Sequence, residues 1–202
     1  ISRFYRDAEV FDVLRSDVLP ALAGRAAEAD RDTVAVWSAG SASGEEPYSV
    51  RLCWDIDVGR RFPDLDVAIT ATEASEHMIE RARTACYPES CLDELPAEWQ
   101  QRAFQPADED DEVCLRDPYR RGVRFLQQDI RRTQPDGPFD LVLCRNLALT
   151  YFDRVGQVET LGRIRRRLRD GGALVVGRKE ELPDRVEGFE VWGETGCVYR
   201  AG

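Results

Sequence analysis

Apolar positions along the chain switch between two spacings, and the switches mark out its elements. Val10, Phe11, Leu14, Val18, Leu19 and Leu22 recur at helical spacing, which predicts a helix over 9–22, with polar, alanine-rich Gly24 to Asp32 as its end and linker. Thr33 to Trp37 is a buried-strand run. A second helix is predicted from Glu45 to Gly59, with Pro47 in its first turn where proline is tolerated. Leu65 to Ala71 is the next strand, its unbroken apolar run suiting a parallel sheet buried on both faces, and Ser75 caps a helix reaching Thr84. Val123 to Gln127 and Phe139 to Cys144 are strands, Phe152 to Leu168 a helix, and Gly171 and Gly172 turn into the strand Ala173 to Gly177. Two short runs, Phe189 to Trp192 and Cys197 to Tyr199, flank Gly193 to Gly196 as a hairpin.

Between Cys86 and Arg121 the periodicity loosens, punctuated by Pro88, Pro96, Pro106 and Pro118. This stretch is expected to be an inserted subregion with a short helix at Pro96 to Ala103 and a solvated acidic loop at Asp108 to Glu112, lacking a clear three-stranded subdomain. Strands alternating with helices predict an α/β, doubly wound, mostly parallel seven-stranded sheet with an antiparallel C-terminal hairpin. Residues 1–30 form an N-terminal helical segment completing the site, and 31–202 the ligand-binding domain. Ligands in such sheets bind at the carboxyl ends of the strands, which gathers Ser38 to Glu45, Thr72 to Ser75, Gln127 to Ile130 and Cys144 to Tyr151 around one crevice.

Composition narrows the function. A chain of 202 residues, 43% hydrophobic and 33% charged, builds one sizeable core, and no apolar run approaches the roughly 20 residues that cross a bilayer. A cytoplasmic protein without membrane insertion is expected. The net charge of -10 argues against nucleic acid as the partner, and the arginines from Arg163 to Arg169 read as a solvated helix end. Six cysteines without a CxxC pair and a single histidine, His77, give no metal-ligand spacing and no hydrolase triad, so no metal is expected. Cys53 and Cys144 read as buried small residues. The chain opens at Ile1 rather than methionine, which is expected of a fragment of a longer product.

The chemistry concentrates in Val34 to Ser49, VAVWSAGSASGEEPYS. Small residues from Ser38 to Gly44 leave backbone amides bare between a strand and a helix N-terminus, a nucleotide-type site. Glu45 and Glu46 would repel a phosphate and attract a ligand carrying a sulfonium and an amino group, as S-adenosylmethionine does. Glu73, ending the second strand, can accept both hydroxyls of a ribose or act as a helix cap. Asp129, ending the next, can accept from an exocyclic adenine amine.

The loop is similar to the acid-x-Gly-x-Gly-x-Gly pattern of Rossmann-like class I S-adenosylmethionine methyltransferases, with Ser38, Gly40, Ala42 and Gly44 at its four positions. More specifically, SRFYRD, WSAGSASGEEPYS, FDLVLCRN and YFD resemble the CheR-type chemotaxis receptor methyltransferases. The resemblance implies a carboxyl O-methyltransferase acting on a protein glutamate, with a small molecule or a non-chemotaxis protein as alternative acceptors and a non-catalytic cofactor-binding module as the rival class. By motif position it implies Arg6 and Tyr151 beside the reacting methyl. It implies Ser2, Ser38, Ala39, Gly40, Gly44, Glu45, Glu73, Asp129, Ile130, Arg145 and Asn146 around the cofactor, with Glu45 on the methionine amino group. Read without it, Arg6 is a surface ion pair with Asp7 or Glu9, and Tyr151 a core aromatic. The chain departs from the pattern in having four residues, LALT, between Asn146 and Tyr151 where the family usually has three, and Arg178–Lys179 inside a Gly-His-Ser-Glu element.

Overall fold

The computed structural model describes residues 2–107 and 111–202. The chain first lays residues 2–7 across the carboxyl end of a sheet, then runs through a helix of three parts: α1 (Ala8–Val13), a π-helical stretch (Leu14–Val18) and α2 (Leu19–Glu28). The stretch expected as helix end and linker is helical to Glu28, where Leu19, Leu22, Ala23 and Ala26 keep one face buried, and residues 29–32 then lead into the sheet.

Seven strands form the main sheet: β1 (Thr33–Ala39), β2 (Asp66–Glu73), β6 (Val123–Gln127), β7 (Phe139–Leu143), β8 (Leu168–Val175), β9 (Phe189–Val191) and β10 (Val198–Ala201). Their spatial order is β6-β2-β1-β7-β8-β10-β9. The first five are parallel, and β10 runs antiparallel to both β8 and β9. The order reverses beside β1, so a crevice opens between its carboxyl end and those of β2 and β7. Trp37 of β1 is fully buried, its ring 5.7 Å from Phe139 and its indole N–H donating to Thr72 Oγ1 at 2.9 Å. Helix α3 (Glu45–Ile56) follows the small-residue loop and α4 (Glu76–Thr84) follows β2, with Ser75 Oγ accepting from the Met78 amide.

The subregion after α4 departs from expectation. β3 (Cys86–Pro88), β4 (Phe104–Pro106) and β5 (Glu112–Leu115) make a separate antiparallel sheet in the order β3-β5-β4, with α5 (Ala97–Ala103) leading into β4. Pro88 and Pro106 stand on the two edge strands, where a missing amide is tolerated. Cys86 and Cys114 face each other on this ladder and form a disulfide that the spacing did not announce. Of the acidic run, Asp108, Glu109 and Asp110 lie outside the described residues.

Two smaller corrections concern the second half. The helix expected over 152–168 is α7 (Arg154–Arg167), capped by Asp153 accepting from the Gly156 amide at 2.8 Å, and a short helix, α6 (Ala148–Tyr151), precedes it. β8 already starts at Leu168 and passes through Gly171, at φ 73°, with a register shift against β7. The arginines ending α7 are not simply solvated, since Arg165 donates to Gly188 O, Arg167 to Pro135 O and Arg163 to Arg131 O. Among the described residues no helix is long and apolar enough to cross a membrane.

Candidate active site

At the carboxyl ends of β1, β2, β6 and β7 two adjoining cavities share Gly40. One, of about 250 Å³, is lined by Gly40, Glu73, Ala74, Gln128, Asp129, Ile130, Arg131, Leu147, Tyr151 and Phe152. The other, of about 170 Å³, is lined by Ser2, Arg3, Arg6, Gly40, Ser41, Ala42, Glu46, Arg145 and Asn146. Gly40 has φ 74°, and a Cβ there would stand 2.6 Å from Leu147 Cδ2, so the bare backbone lets the loop pass between the two chambers.

The loop is held from below by acids. Glu73 Oε2 accepts from the Ala42 amide at 3.0 Å, supporting Ala42 in a left-handed conformation at φ 46°, and Glu73 Oε1 accepts from the Ser75 amide at 3.0 Å. Glu73 thus lines the larger cavity and also caps the turn. Ser38 is buried and donates to Glu46 Oε1 at 2.7 Å. Ser38, Ala39 and Gly44 line neither cavity: Ala39 is in the β1 ladder, and Gly44 packs at the start of α3 against Ala82 and Tyr48.

Glu45 is buried and borders neither cavity; its Oε1 accepts from Ser43 Oγ at 2.8 Å, and its Oε2 has no hydrogen-bond partner among the described residues. Its neighbour Glu46 faces the smaller cavity. Successive residues on a helix point about 100° apart, so one of two adjacent acids faces the crevice, and GEEPYS does not reveal which. Burial raises the Glu46 carboxyl above its ordinary value, opposed by Arg145, the Ser38 hydroxyl and Arg6.

Arg145 is the junction of the site. Its guanidinium, 3% exposed, reaches Asp7 Oδ2 at 2.7 Å, the Arg6 carbonyl at 2.8 Å and Glu46 Oε2 at 3.4 Å. It lies over the Phe11 ring as well. The N-terminal segment is further tied down by the Tyr5 amide donating to Ser49 Oγ and the Phe4 amide donating to Cys91 O. Asp7 and Glu9, the ion-pair partners considered for Arg6, are instead taken by Arg145 and Arg178. Arg6 makes no ion pair among the described residues and lines the smaller cavity.

On the adenine side, Asp129 does not stand open. Arg131 Nε and Nη2 donate to its two oxygens at 2.9 and 2.7 Å, which holds its carboxyl below the ordinary value. Ile130 is buried against the same cavity. Tyr151 is not a core aromatic: it ends α6 and is 76% exposed at the cavity rim. Arg131, which closes on Asp129 from two residues away, was not picked out from the sequence, whereas Glu46 was read there as one of two acids after the loop and Asp7 as an ion-pair partner for Arg6.

Small-residue loop, acid after β2, acid after β6 and an antiparallel penultimate strand together define a class I S-adenosylmethionine-dependent methyltransferase domain. Residues 1–197 match the family model described as CheR methyltransferase, SAM binding domain, and the chain belongs to this family. It is 32% identical over 182 residues to a chemotaxis protein methyltransferase of Listeria monocytogenes serovar 1/2a, covering 90% of this chain and 65% of that protein. Against the chemotaxis protein methyltransferase of Vibrio parahaemolyticus it is 31% identical over 201 residues, 98% of this chain and 70% of that one. A 104.1 kDa protein encoded in the hypE 3′ region of Rhodobacter capsulatus matches at 29% over 203 residues, but only 21% of its length is covered. The chain therefore spans about two thirds of the length of these chemotaxis relatives. S-adenosylmethionine is the family's cofactor, and the residues present fit it: acids border both cavities, and the bare Gly40 backbone lies between them.

The Glu46 shift gives a pH dependence. An ammonium group is held by the ionised carboxylate, and a raised value means that the proton returns on acidification above the ordinary 4.5. Affinity for S-adenosylhomocysteine is expected to fall as pH drops through that window. Folding responds in the opposite sense, because burying ionised Glu46 costs stability that returns once it is protonated. Titration across pH with wild type and Glu46→Gln checks this; a wild-type profile as flat as the variant's would contradict it.

Proposed function

We propose that this chain is the catalytic domain of a protein carboxyl O-methyltransferase, esterifying glutamate side chains of a methyl-accepting chemotaxis protein. One observation carries the reading: a partly buried carboxylate, Glu46, and an arginine that makes no ion pair among the described residues, Arg6, line the same 170 Å³ cavity. Bound S-adenosylmethionine supplies an electrophilic methyl group. Glu46 holds the amino-acid end, with Ser2 and Asn146 beside it. Glu73 accepts the ribose hydroxyls in the larger cavity, Ile130 covers the base, and Asp129 shares its carboxylate between Arg131 and the adenine amine. Arg6 then orients the acceptor carboxylate, which at neutral pH is already a nucleophile and needs alignment rather than a general base. Arg145, spent on Asp7, Arg6 O and Glu46, fixes the frame in which these groups stand.

Tyr151 meets the acceptor at the outer rim. Its exposure and the longer Asn146 to Tyr151 segment favour, as a second reading, an acceptor outside the chemotaxis receptors. Incubation with methyl-labelled S-adenosylmethionine and the signalling domain of a chemotaxis receptor separates the readings. Label released as methanol by base is the ester expected, whereas base-stable label, or none, overturns carboxyl transfer to that acceptor.

The ribose assignment predicts that Glu73→Ala weakens binding of S-adenosylhomocysteine by about 1–3 kcal/mol, through the lost hydroxyl bonds and the loosened Ala42 amide. Calorimetric titration measures this directly, and unchanged affinity would remove Glu73 from the ribose.

A further inference from the structure

Glu180 is buried in the loop after β8 and belongs to no cavity described above, yet its carboxylate is fully engaged with the turn after β7. Oε2 accepts from the Asn146 amide at 2.9 Å and from the Gly177 amide at 2.7 Å, while Oε1 accepts from Thr150 Oγ1 at 2.5 Å. The Glu180 amide in turn donates to Gly177 O at 2.8 Å, which folds the side chain back over its own loop. Asn146 is a non-glycine residue at φ 52°, a conformation that persists only when neighbours hold it. Gly177 is a close-approach glycine, because a Cβ there would stand 2.7 Å from Glu180 Oε2 and 2.8 Å from Asn146 Nδ2. Thr150 is the last of the four residues separating Asn146 from Tyr151, and the Tyr151 amide closes the helical turn on Leu147 O at 2.9 Å. One carboxylate thus pins both ends of the segment whose length sets this chain apart.

We infer that Glu180 is a positioning residue for the cofactor site, acting through Asn146: it clasps the carboxyl-end turns of β7 and β8 and holds the Asn146 backbone in the conformation that turns its side chain into the smaller cavity. This rests on the assignment of Asn146 to the cofactor. Three hydrogen bonds from backbone and hydroxyl donors, with no arginine or lysine among its partners in the described residues, make the clasp geometric rather than a charge pair. A glutamine can reproduce it, its carbonyl accepting from the two amides and its NH₂ donating to the Thr150 hydroxyl. An alanine cannot.

The test has two parts. In the chain without cofactor, amide hydrogen exchange at Asn146 and Gly177 is expected to accelerate in Glu180→Ala and to stay near wild type in Glu180→Gln; equal exchange in all three overturns the clasp. Titration with S-adenosylhomocysteine is expected to show about a tenfold loss for Glu180→Ala and at most about threefold for Glu180→Gln, with the double variant Glu180→Ala/Asn146→Ala no weaker than Asn146→Ala alone. Additive losses, or a glutamine variant as weak as the alanine one, would overturn action through Asn146. Should Glu180→Ala fail to fold, Thr150→Val removes only the Oε1 bond and is expected to cost about threefold in affinity; no loss counts against the proposal. Wild type that does not bind S-adenosylhomocysteine removes the cofactor assignment and this inference with it, whereas binding with all variants unchanged removes the inference alone.

Discussion

Replacing Arg145 by alanine is expected to destabilise the fold by about 2–4 kcal/mol, because it leaves two partly buried carboxylates without their buried cation. Glu46 is 16% exposed at its side chain and Asp7 28%, so neither can fall back on full hydration. The loss also cuts the bond from Arg145 to the Arg6 carbonyl, which ties residues 2–7 to the end of β7. Denaturant unfolding measures the change. Arg145→Lys should recover only part of it, since one ammonium cannot span the three acceptors that a planar guanidinium serves. A loss below about 1 kcal/mol would class the arrangement with surface pairs and remove Arg145 as the keystone.

Glu46→Ala is expected to weaken S-adenosylhomocysteine binding by about 100-fold, two or so charge-assisted bonds' worth, while Glu45→Ala leaves it near wild type. The contrast follows from orientation alone: Glu46 borders the smaller cavity, and Glu45 is directed to Ser43. Calorimetry on the two variants decides it, and the reverse order would restore the assignment made from motif position. Glu46 also bonds to Arg145, so Glu46→Gln, which keeps the volume and the Ser38 contact, separates affinity from stability.

What the chain disclosed before folding was mostly local. The small-residue loop, the acids at the ends of β2 and β6 and the alternation of strands and helices are each written within a few adjacent residues, and these set the fold and the crevice. The three-stranded subregion was hidden because β3 and β4 are only three residues long, too short to show a period, and each carries a proline that argues against a strand unless its edge position is known. The choice between Glu45 and Glu46 depended on helix phase. The Arg145 clamp joins residues 138 positions apart, and no spacing rule reaches that far. Asp129 could be read as an acid at a strand end, but not as one already engaged by Arg131. Tyr151 was placed by its motif, and its ring stands exposed at the rim of the larger cavity, which the motif did not disclose.

Calorimetric titration of the purified chain with S-adenosylhomocysteine tests the central claim most directly. One saturable site per chain in the micromolar range, weakened about 100-fold in Glu46→Ala and kept near wild type in Glu45→Ala, is the predicted result. Absence of binding, with the fold intact by circular dichroism, would contradict it and leave a methyltransferase fold without a cofactor site.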